Sequence, residues 1–332
     1  MKAIVYTEYG PPEVLHLQEV AQPTPAAHEI LVKIHAVNIN YGDLLARRFG
    51  HVSPREFNMP GIFWLPARLA FGWRKPKKPT LGSEYAGEVA AVGRDVTEFK
   101  VGDAVFGYQG QQMGANVEYL CVPANGMVAH KPSNLSDEQA ATIPYGALTA
   151  LNLLRKANIQ PGHKVLILGA SGGIGTAAVQ LAKQFGAEVT GVCGALRMDY
   201  VLALGADKVI DYQRKDFTSN GVQYDLIFDV LGKGSFAHIR KSLAPHGRYL
   251  LASFKGKQLM QMLWTSLRGG QKVICALSGE TRADLLHIKG LVEAGNLKGV
   301  VDKRFPLAQA AEAHRYVEAG HKKGSVVIVM GH

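Results

Sequence analysis

Apolar and polar positions follow two rhythms along the chain. Across residues 1–125, short apolar runs such as "EILVKIHAV" and "EYAGEVAAVG" are separated by Gly and Pro turns, which predicts a β-rich segment. Residues 136–160 turn helical: Ser136 and Gln139 stand at capping-box spacing, and "ALTALNLLRKA" keeps a helical period after Pro144. From Lys164 onward strand and helix patterns alternate. The strand-like runs are "KVLIL" (164–168), "EVTGV" (188–192), "KVIDY" (208–212), "YDLIFDV" (224–230), "GRYLLAS" (247–253) and "KVICAL" (272–277). Helical stretches between most of them predict an α/β fold with a doubly wound, six-stranded parallel sheet, because each parallel crossover needs a helix to cover a face. The tail, 278–332, returns to helices around "DLLHIKGLVEAG" and "AQAAEAHRYVEAG" and ends in the strand "SVVIVM". The expected organisation is a β-rich domain over 1–125, completed by 276–332, and an α/β domain over 126–275.

At 332 residues, 47% hydrophobic and 19% charged, the chain is long and apolar enough for two cored domains and too apolar for disorder. The opening "MKAIVYTEYG" has no secretory pattern, and Cys121, Cys193 and Cys275 are scattered without a CxxC pair. A reducing cytoplasm is therefore expected, with neither a disulfide framework nor a cysteine zinc site. The net charge of +10 is unevenly placed: residues 1–125 hold 12 Lys and Arg against 12 Asp and Glu, while residues 126–275 hold 17 against 9. The surplus lies in the alternating segment, where it is either a solvated surface or a field for a polyanionic ligand.

"KVLILGASGGIGTAAVQLAKQFGA" sets a glycine cluster between a strand and a helix. Ala170, Gly172 and Gly175 fill the G-x-G-x-x-G positions, with Ser171, Gly173 and Ile174 between them, so a pyrophosphate is expected on the free amides of the helix start. Twenty or so residues on, where NAD sites carry an acid for the ribose hydroxyl, this chain has Cys193 and Gly194, with Arg197 in the next turn. A missing carboxylate and an available guanidinium favour NADP(H). Tyr212 ends the third strand, where it can flank the adenine or its phosphate.

The runs "MKAIVYTEYGPPEVL", "AVNINYGDLLARRFG", "LGSEYAGEVAAVG", "VGDAVFG", "PYGALTA", "GASGGIGTAAVQLAK", "LGADKVIDY" and "YDLIFDVLG" resemble, in order, the medium-chain dehydrogenase/reductase superfamily. Within it the chain is similar to the zinc-independent quinone oxidoreductase (zeta-crystallin-like) branch. That resemblance implies a GroES-like catalytic domain, a Rossmann domain and a homodimer. Where zinc members carry a catalytic Cys and a Gly-His-Glu, this chain has Asn40 in "NYGD" and Ser83 in "LGSE", neither of them a usable zinc ligand, and the four-cysteine structural lobe is missing. No metal is expected.

Without a Lewis acid, reduction of an already electrophilic substrate needs less assistance than oxidation of a simple alcohol. The resemblance therefore implies NADPH-dependent reduction of apolar quinones or α,β-unsaturated carbonyls. Asn40 and Tyr41 are the candidate catalytic residues, Asn40 as an amide donor and Tyr41 as proton donor or oxyanion partner, with packing as the other reading of the tyrosine. Thr149 in "GALTA" matches the family threonine beside the nicotinamide. Leu231, Ser253 and Phe254 follow the fourth and fifth strands, at the carboxyl ends where open α/β sheets bind ligands.

Residues 51–79 do not match the family pattern. "GIFWLPARLAFGWRKPKKP" reads as a lid of Phe63, Trp64, Phe71 and Trp73 over an apolar substrate, or as a loop packed on its own domain. Its basic end, Arg74 to Lys78, is expected to be extended and to make weak membrane-surface contact. The apolar part, Gly61 to Trp73, is broken by Pro66 and Arg68 and falls short of the roughly 20 residues of a span. Two other readings compete: zinc-free reduction of plain ketones, and a non-catalytic NADPH- or nucleic-acid-binding crystallin-like protein. No nucleic-acid partner is expected, because no aromatic–basic RNA-binding motif accompanies the basic surplus.

Overall fold

The computed structural model describes residues 1–320 and 322–331. Up to Tyr145 it contains seven strands, β1 (Lys2–Val5), β2 (His16–Glu19), β3 (Glu29–Ile39), β4 (Glu84–Val92), β5 (Ala104–Tyr108), β6 (Tyr119–Pro123) and β7 (Val128–His130). Helices α1 (Tyr41–Arg47), α2 (Trp64–Phe71) and α3 (Asp137–Ala141) lie between and after them, and α4 (Pro144–Lys156) follows. Strands β8 (Lys164–Leu168), β9 (Glu188–Cys193), β10 (Lys208–Asp211), β11 (Tyr224–Asp229), β12 (Leu243–Leu251) and β13 (Lys272–Cys275) then alternate with α5 (Gly173–Gln184), α6 (Met198–Ala203), α7 (Phe236–Ile239) and α8 (Gly256–Ser266). The return consists of α9 (Arg282–Glu293), β14 (Val301–Pro306), α10 (Ala310–Glu318) and β15 (Ser325–Val329).

Two compact units result: residues 1–53, 65–145 and the chain from Thr281 on, and residues 54–64 with 146–280. The first unit runs past residue 125 to Tyr145 because β7 pairs with β5 and α3 packs on β3 and β4. The return begins at Thr281 rather than 276, since Gly279 N still donates to Asn152 Oδ1 of α4, 3.3 Å away. The proposed lid is divided as well, its residues 54–64 grouping with the parallel unit and the rest with the β-rich one.

In the first unit the sheet order is β14-β15-β3-β4-β5-β7, with β6 also on β3. β3 is the spine. Its Glu29–Lys33 half pairs with β6 and its Ala36–Ile39 half with β15, so the C-terminal strand completes the sheet. Ile30, Val32, Ile34 and Val37 are fully buried, each side chain contributing about 1.5–3 kcal/mol of transfer free energy. β14 escaped the sequence reading because it is an edge strand carrying Asp302, Lys303 and Arg304, the charges that protect an edge also hiding its pattern. α1 is fastened at its far end by buried Arg47, which donates to Gly10 O, pairs with Glu318 and bonds His314 Nδ1 at 3.2 Å. Burial, then the nearby guanidinium, pushes His314 down to about 3, so its neutral ring accepts from Arg47.

In the second unit the parallel sheet runs β10-β9-β8-β11-β12-β13, the classical doubly wound order with β8 and β11 flanking the topological switch. Val165, Leu166 and Ile167 in the central strand are all fully buried, as a strand covered by helices on both faces requires.

Candidate functional site

In the β-rich unit, β3 ends and α1 begins at Asn40. Its Oδ1 accepts from Gly42 N at 2.8 Å, and the Asp43 carboxylate reaches back to Asn40 N at 2.9 Å. The other Asp43 oxygen accepts from Gly82 N at 2.9 Å, so one buried acid ties the helix start to the turn before β4. Asn40 Nδ2 donates to Ser83 Oγ at 2.7 Å and to Glu84 Oε2 at 2.9 Å. Asn38 Nδ2 also donates to Glu84 Oε2, and Tyr145 N, at the start of α4, donates to Oε1 at 2.8 Å. Asn40 and Ser83, the positions where the resemblance expects zinc ligands, are thus an amide and a hydroxyl bonded to one another.

Two carboxyls in this cluster are displaced upward. Burial raises Asp43 to about 6, opposed by its amide donors, and raises Glu84 to about 7 against its three donors. Asn40 itself is buried, with both amide hydrogens and its oxygen committed within the cluster. Its amide hydrogens could reach a substrate only by breaking one of these contacts. Tyr41 differs: it opens α1 and is 45% exposed, a phenol carried by a rigid helix start.

The glycine-rich turn between β8 and α5 lies in the parallel unit. β8 ends at Leu168, Gly169 takes φ +84°, and Gly169 N and Ala170 N both donate to Val192 O. Ala170 is fully buried, and its methyl is accommodated by Gly191 on β9, where a Cβ would stand 3.1 Å from it. Alanine at the first motif position is thus matched by a glycine across the strands. Gly175 has no room for a side chain, because its Cβ would lie 2.1 Å from Gly169 O. Gly172 and Gly173 are different: a Cβ would meet nothing closer than 3.5 Å at the first and nothing within 4 Å at the second. Packing does not demand glycine there. The bare backbone leaves open the first amides of α5, a cradle that fits a pyrophosphate, with Ser171, Ile174 and Gly175 around it. α4 closes on this turn at Gly146, whose Cβ would come 2.4 Å from Gly173 O, and Thr149 lies one turn further on that face.

At the ends of β9 and β10, Gly194 lies against the exposed Tyr212 ring, whose Oη would be 3.9 Å from a Cβ there, and Tyr212 N donates to Cys193 O. Half-buried Arg197 is near enough to Cys193 to act on its thiol, which burial nonetheless pushes up. Cys193 is 3% exposed, so it offers a ligand its backbone and not its sulfur. The sequence reading missed Asp211, which faces Cys193 in the sheet register and lies 3.8 Å from the Arg214 guanidinium. It also missed Asp229. That buried acid accepts from Leu231 N, Gly232 N, Gly234 N and Tyr249 Oη at 2.8–3.0 Å and shapes the loop after β11. The loop carries Leu231 over the turn, its Cγ 3.0 Å from where a Gly169 Cβ would be. An acid followed by "VLGKG" was the available signal.

Ser253 and Phe254 stand as placed at the end of β12, but their side chains are occupied. Ser253 Oγ donates to Asn58 O at 2.7 Å, and Phe254 is buried in the sheet's apolar cluster. Lys255 Nζ donates to Arg55 O, so the first part of the 51–79 insertion is fastened to this edge. Its later part is fastened elsewhere, with Tyr9 Oη donating to the Phe71 and Gly72 carbonyls and Phe71 packed 4.8 Å from Phe49. Arg68 stacks near Tyr9 and Trp73 and donates to Phe49 O. Phe71 is therefore an anchor rather than part of a roof. The basic end is not extended either: Lys77 N folds back onto Phe71 O, and Lys78 is held by Gln111 O and Gln112.

Comparison with known proteins agrees along the whole chain. Residues 26–133 match the alcohol dehydrogenase GroES-like domain and residues 204–328 match the zinc-binding dehydrogenase domain. A chloroplastic quinone-oxidoreductase homolog of Spinacia oleracea is 30% identical, over 99% of this chain and 98% of its own. The 2-methylene-furan-3-one reductase of Solanum lycopersicum is also 30% identical, over 99% and 79%. The solved quinone oxidoreductase of Coxiella burnetii superposes with TM-score 0.83 at 28% identity, over 99% of both chains.

Proposed function

The chain belongs to the quinone-oxidoreductase branch of the medium-chain dehydrogenase/reductase superfamily, and from that premise we propose that it reduces apolar quinones or α,β-unsaturated carbonyls with NADPH and without zinc. That it is an oxidoreductase of a family using nicotinamide cofactors follows from membership alone. What supports the zinc-free part of the reading is the Asn40–Ser83–Glu84 cluster, in which an amide and a hydroxyl, bonded to each other, stand where the resemblance puts zinc ligands and the amide also donates to the Glu84 carboxyl.

The cofactor supplies the hydride when bound. The α5 start and its glycine cradle hold the pyrophosphate, and Arg197 with Tyr212 takes the adenosine end, the guanidinium favouring a 2′-phosphate. Thr149 and Leu231 bear on the nicotinamide end. Asp43 and Glu84 hold the β3–α1 junction, so that Tyr41 is presented from a fixed helix start as oxyanion partner or proton donor. The exposed Phe63 and Trp73 of the insertion are its apolar substrate contacts. The reading includes a homodimer in the cytoplasm and weak membrane contact by 61–79 through Arg74, Lys75 and Lys77.

The test is consumption of NADPH, with NADH in parallel, against a quinone, a 2-alkenal, a cyclic enone and the matching saturated ketone. Turnover of the conjugated substrates alone, with NADPH preferred, is expected. Equal turnover of the ketone would replace this reading with a ketone reductase, and tight NADPH binding without turnover of anything would replace it with a binding protein.

A further inference from the structure

The amino ends of β8, β9, β10 and β11 border a cavity of about 320 Å³, at the opposite end of the strands from the glycine-rich turn. Lys164 and Glu188 open β8 and β9 and face each other in register, and Lys208, which opens β10, faces Thr190. The segment after β10 closes the cavity with Lys215, Asn220 and Val222. That segment is fixed from within. Phe217 and Val222 pack on the sheet's apolar cluster, Asn220 Oδ1 accepts from Val222 N at 2.9 Å, and Asn220 Nδ2 donates to Tyr224 Oη at 3.1 Å.

The polar groups of this cavity have bonding capacity to spare. Thr190 is 5% exposed, and its hydroxyl has no hydrogen-bond partner among the described residues. Tyr224, 2% exposed, accepts from Asn220 but donates to no described residue. A buried hydroxyl left unbonded is a cost that a ligand removes. At the mouth, Lys208 pairs with Glu188 at 2.7 Å, whereas the exposed Lys164 and Lys215 ammoniums have no partner among the described residues. The acids beside them in sequence are committed elsewhere. Asp207 holds Lys183 and Val189 N, Asp216 holds Thr218 N and His238, and Asp225 accepts from Lys164 N. With Lys208 and Glu188 cancelling, the lining keeps two uncompensated positive charges, Lys164 and Lys215.

We propose that this cavity binds a small phosphorylated sugar or polyol. A phosphate monoester carries close to two negative charges at neutral pH, which Lys164 and Lys215 match, whereas a carboxylate would leave one of them uncompensated. Ammonium groups on flexible stems hold a phosphate as point charges. The ligand's hydroxyls meet Thr190 and Tyr224 on the cavity floor, and its carbon body lies on Val209 and Val222. A nucleobase is disfavoured, because Tyr224 is the one ring lining the cavity among the described residues and its face is buried. The site is separate from the glycine-rich turn: β8 has five residues, so a strand length of roughly 13 Å lies between them.

Equilibrium dialysis of the full-length protein with labelled glucose 6-phosphate tests this, in saturating NADPH so that the start of α5 is already filled. Binding is expected to be at least about tenfold tighter than that of glucose, inorganic phosphate or gluconate, which lack the phosphate, the sugar or the second charge. Lys164→Gln with Lys215→Gln should weaken it at least about tenfold, and Thr190→Val, a change of nearly equal shape, at least about threefold. Both variants should keep the wild-type melting point and NADPH affinity. The two lysines are exposed, so their variant folds and decides the matter even if Thr190→Val is less stable. Absent retention of glucose 6-phosphate, its release as NADPH is added, or undiminished binding by the lysine variant would overturn the proposal. So would equal affinity for gluconate or for inorganic phosphate, since the charge match or the cavity floor would then contribute nothing. None of these readouts depends on the identity of the enzyme's substrate.

Discussion

Tyr41, Glu84 and Arg197 carry the sharpest residue-level predictions. Tyr41→Phe keeps the ring and removes the hydroxyl; if it donates a proton or holds the oxyanion, kcat should fall by about 100-fold with KM little changed, measured on a conjugated substrate. Glu84 titrates at about 7 in the fold against its ordinary 4.5, so the fold favours its protonated form. The stabilisation this gives is fully present below pH 4.5 and is lost as pH rises through 7, up to about 3 kcal/mol for the group. Glu84→Gln cannot ionise. Urea unfolding from pH 4.5 to 8 should therefore show the variant gaining on the wild type by up to that amount as pH rises. Arg197→Ala should raise the Kd for NADPH at least about tenfold and leave that for NADH nearly unchanged, measured by fluorescence titration.

At the scale of elements, the β8–α5 turn separates glycines kept for packing from glycines kept for a ligand. Gly175→Ala places a methyl 2.1 Å from Gly169 O, and relief requires moving helix or strand. A loss of about 2–3 kcal/mol in unfolding free energy is expected. Gly173→Ala meets no atom within 4 Å and sits in the first turn of a helix, so thermal stability should hold or rise. Its methyl would nevertheless stand over the open amides, and NADPH affinity should fall at least about tenfold, measured by calorimetry. The insertion shows the complementary limit of sequence reading. Its aromatic residues are plain in "GIFWLPARLAFGW", yet Phe71 is fixed inward by Phe49 and Tyr9, residues distant in sequence. An inward and an outward phenylalanine look alike until those partners are placed.

Across the whole molecule, membership in the oxidoreductase family was legible because its motifs run in order through both units. The strand order β10-β9-β8-β11-β12-β13 is one of the few that alternating strand and helix patterns allow when every crossover is right-handed and covers a face. NADPH that binds the folded chain and not the unfolded one should add about 2.7 kcal/mol at a concentration 100 times its Kd. Its effect on thermal unfolding should exceed that of NADH at equal concentration. The surplus charge acts at this scale too: 17 Lys and Arg against 9 Asp and Glu over residues 126–275 is a property of composition, but that Arg240 and Arg268 line one groove appears only in the folded chain.

The sequence by itself determined the class of each segment, the six parallel strands, the glycine-rich strand-to-helix turn at residues 170–175 and the capping box at Ser136, because periodicity and cap spacing are local. It also set an amide at residue 40 and a hydroxyl at residue 83, since side-chain chemistry is a property of the residue. Tertiary structure alone decided what those residues do instead: a bonded pair 43 residues apart, sharing a buried carboxylate with Asn38 and with the start of α4. It decided that Cys193 and Phe254 are buried, and that Asp229 orders the loop beneath Leu231. It set the first unit's limit at Tyr145. Each of these depends on contacts between residues far apart in the chain, and burial, shifted acidity and shared hydrogen bonds arise only when the fold brings such residues together.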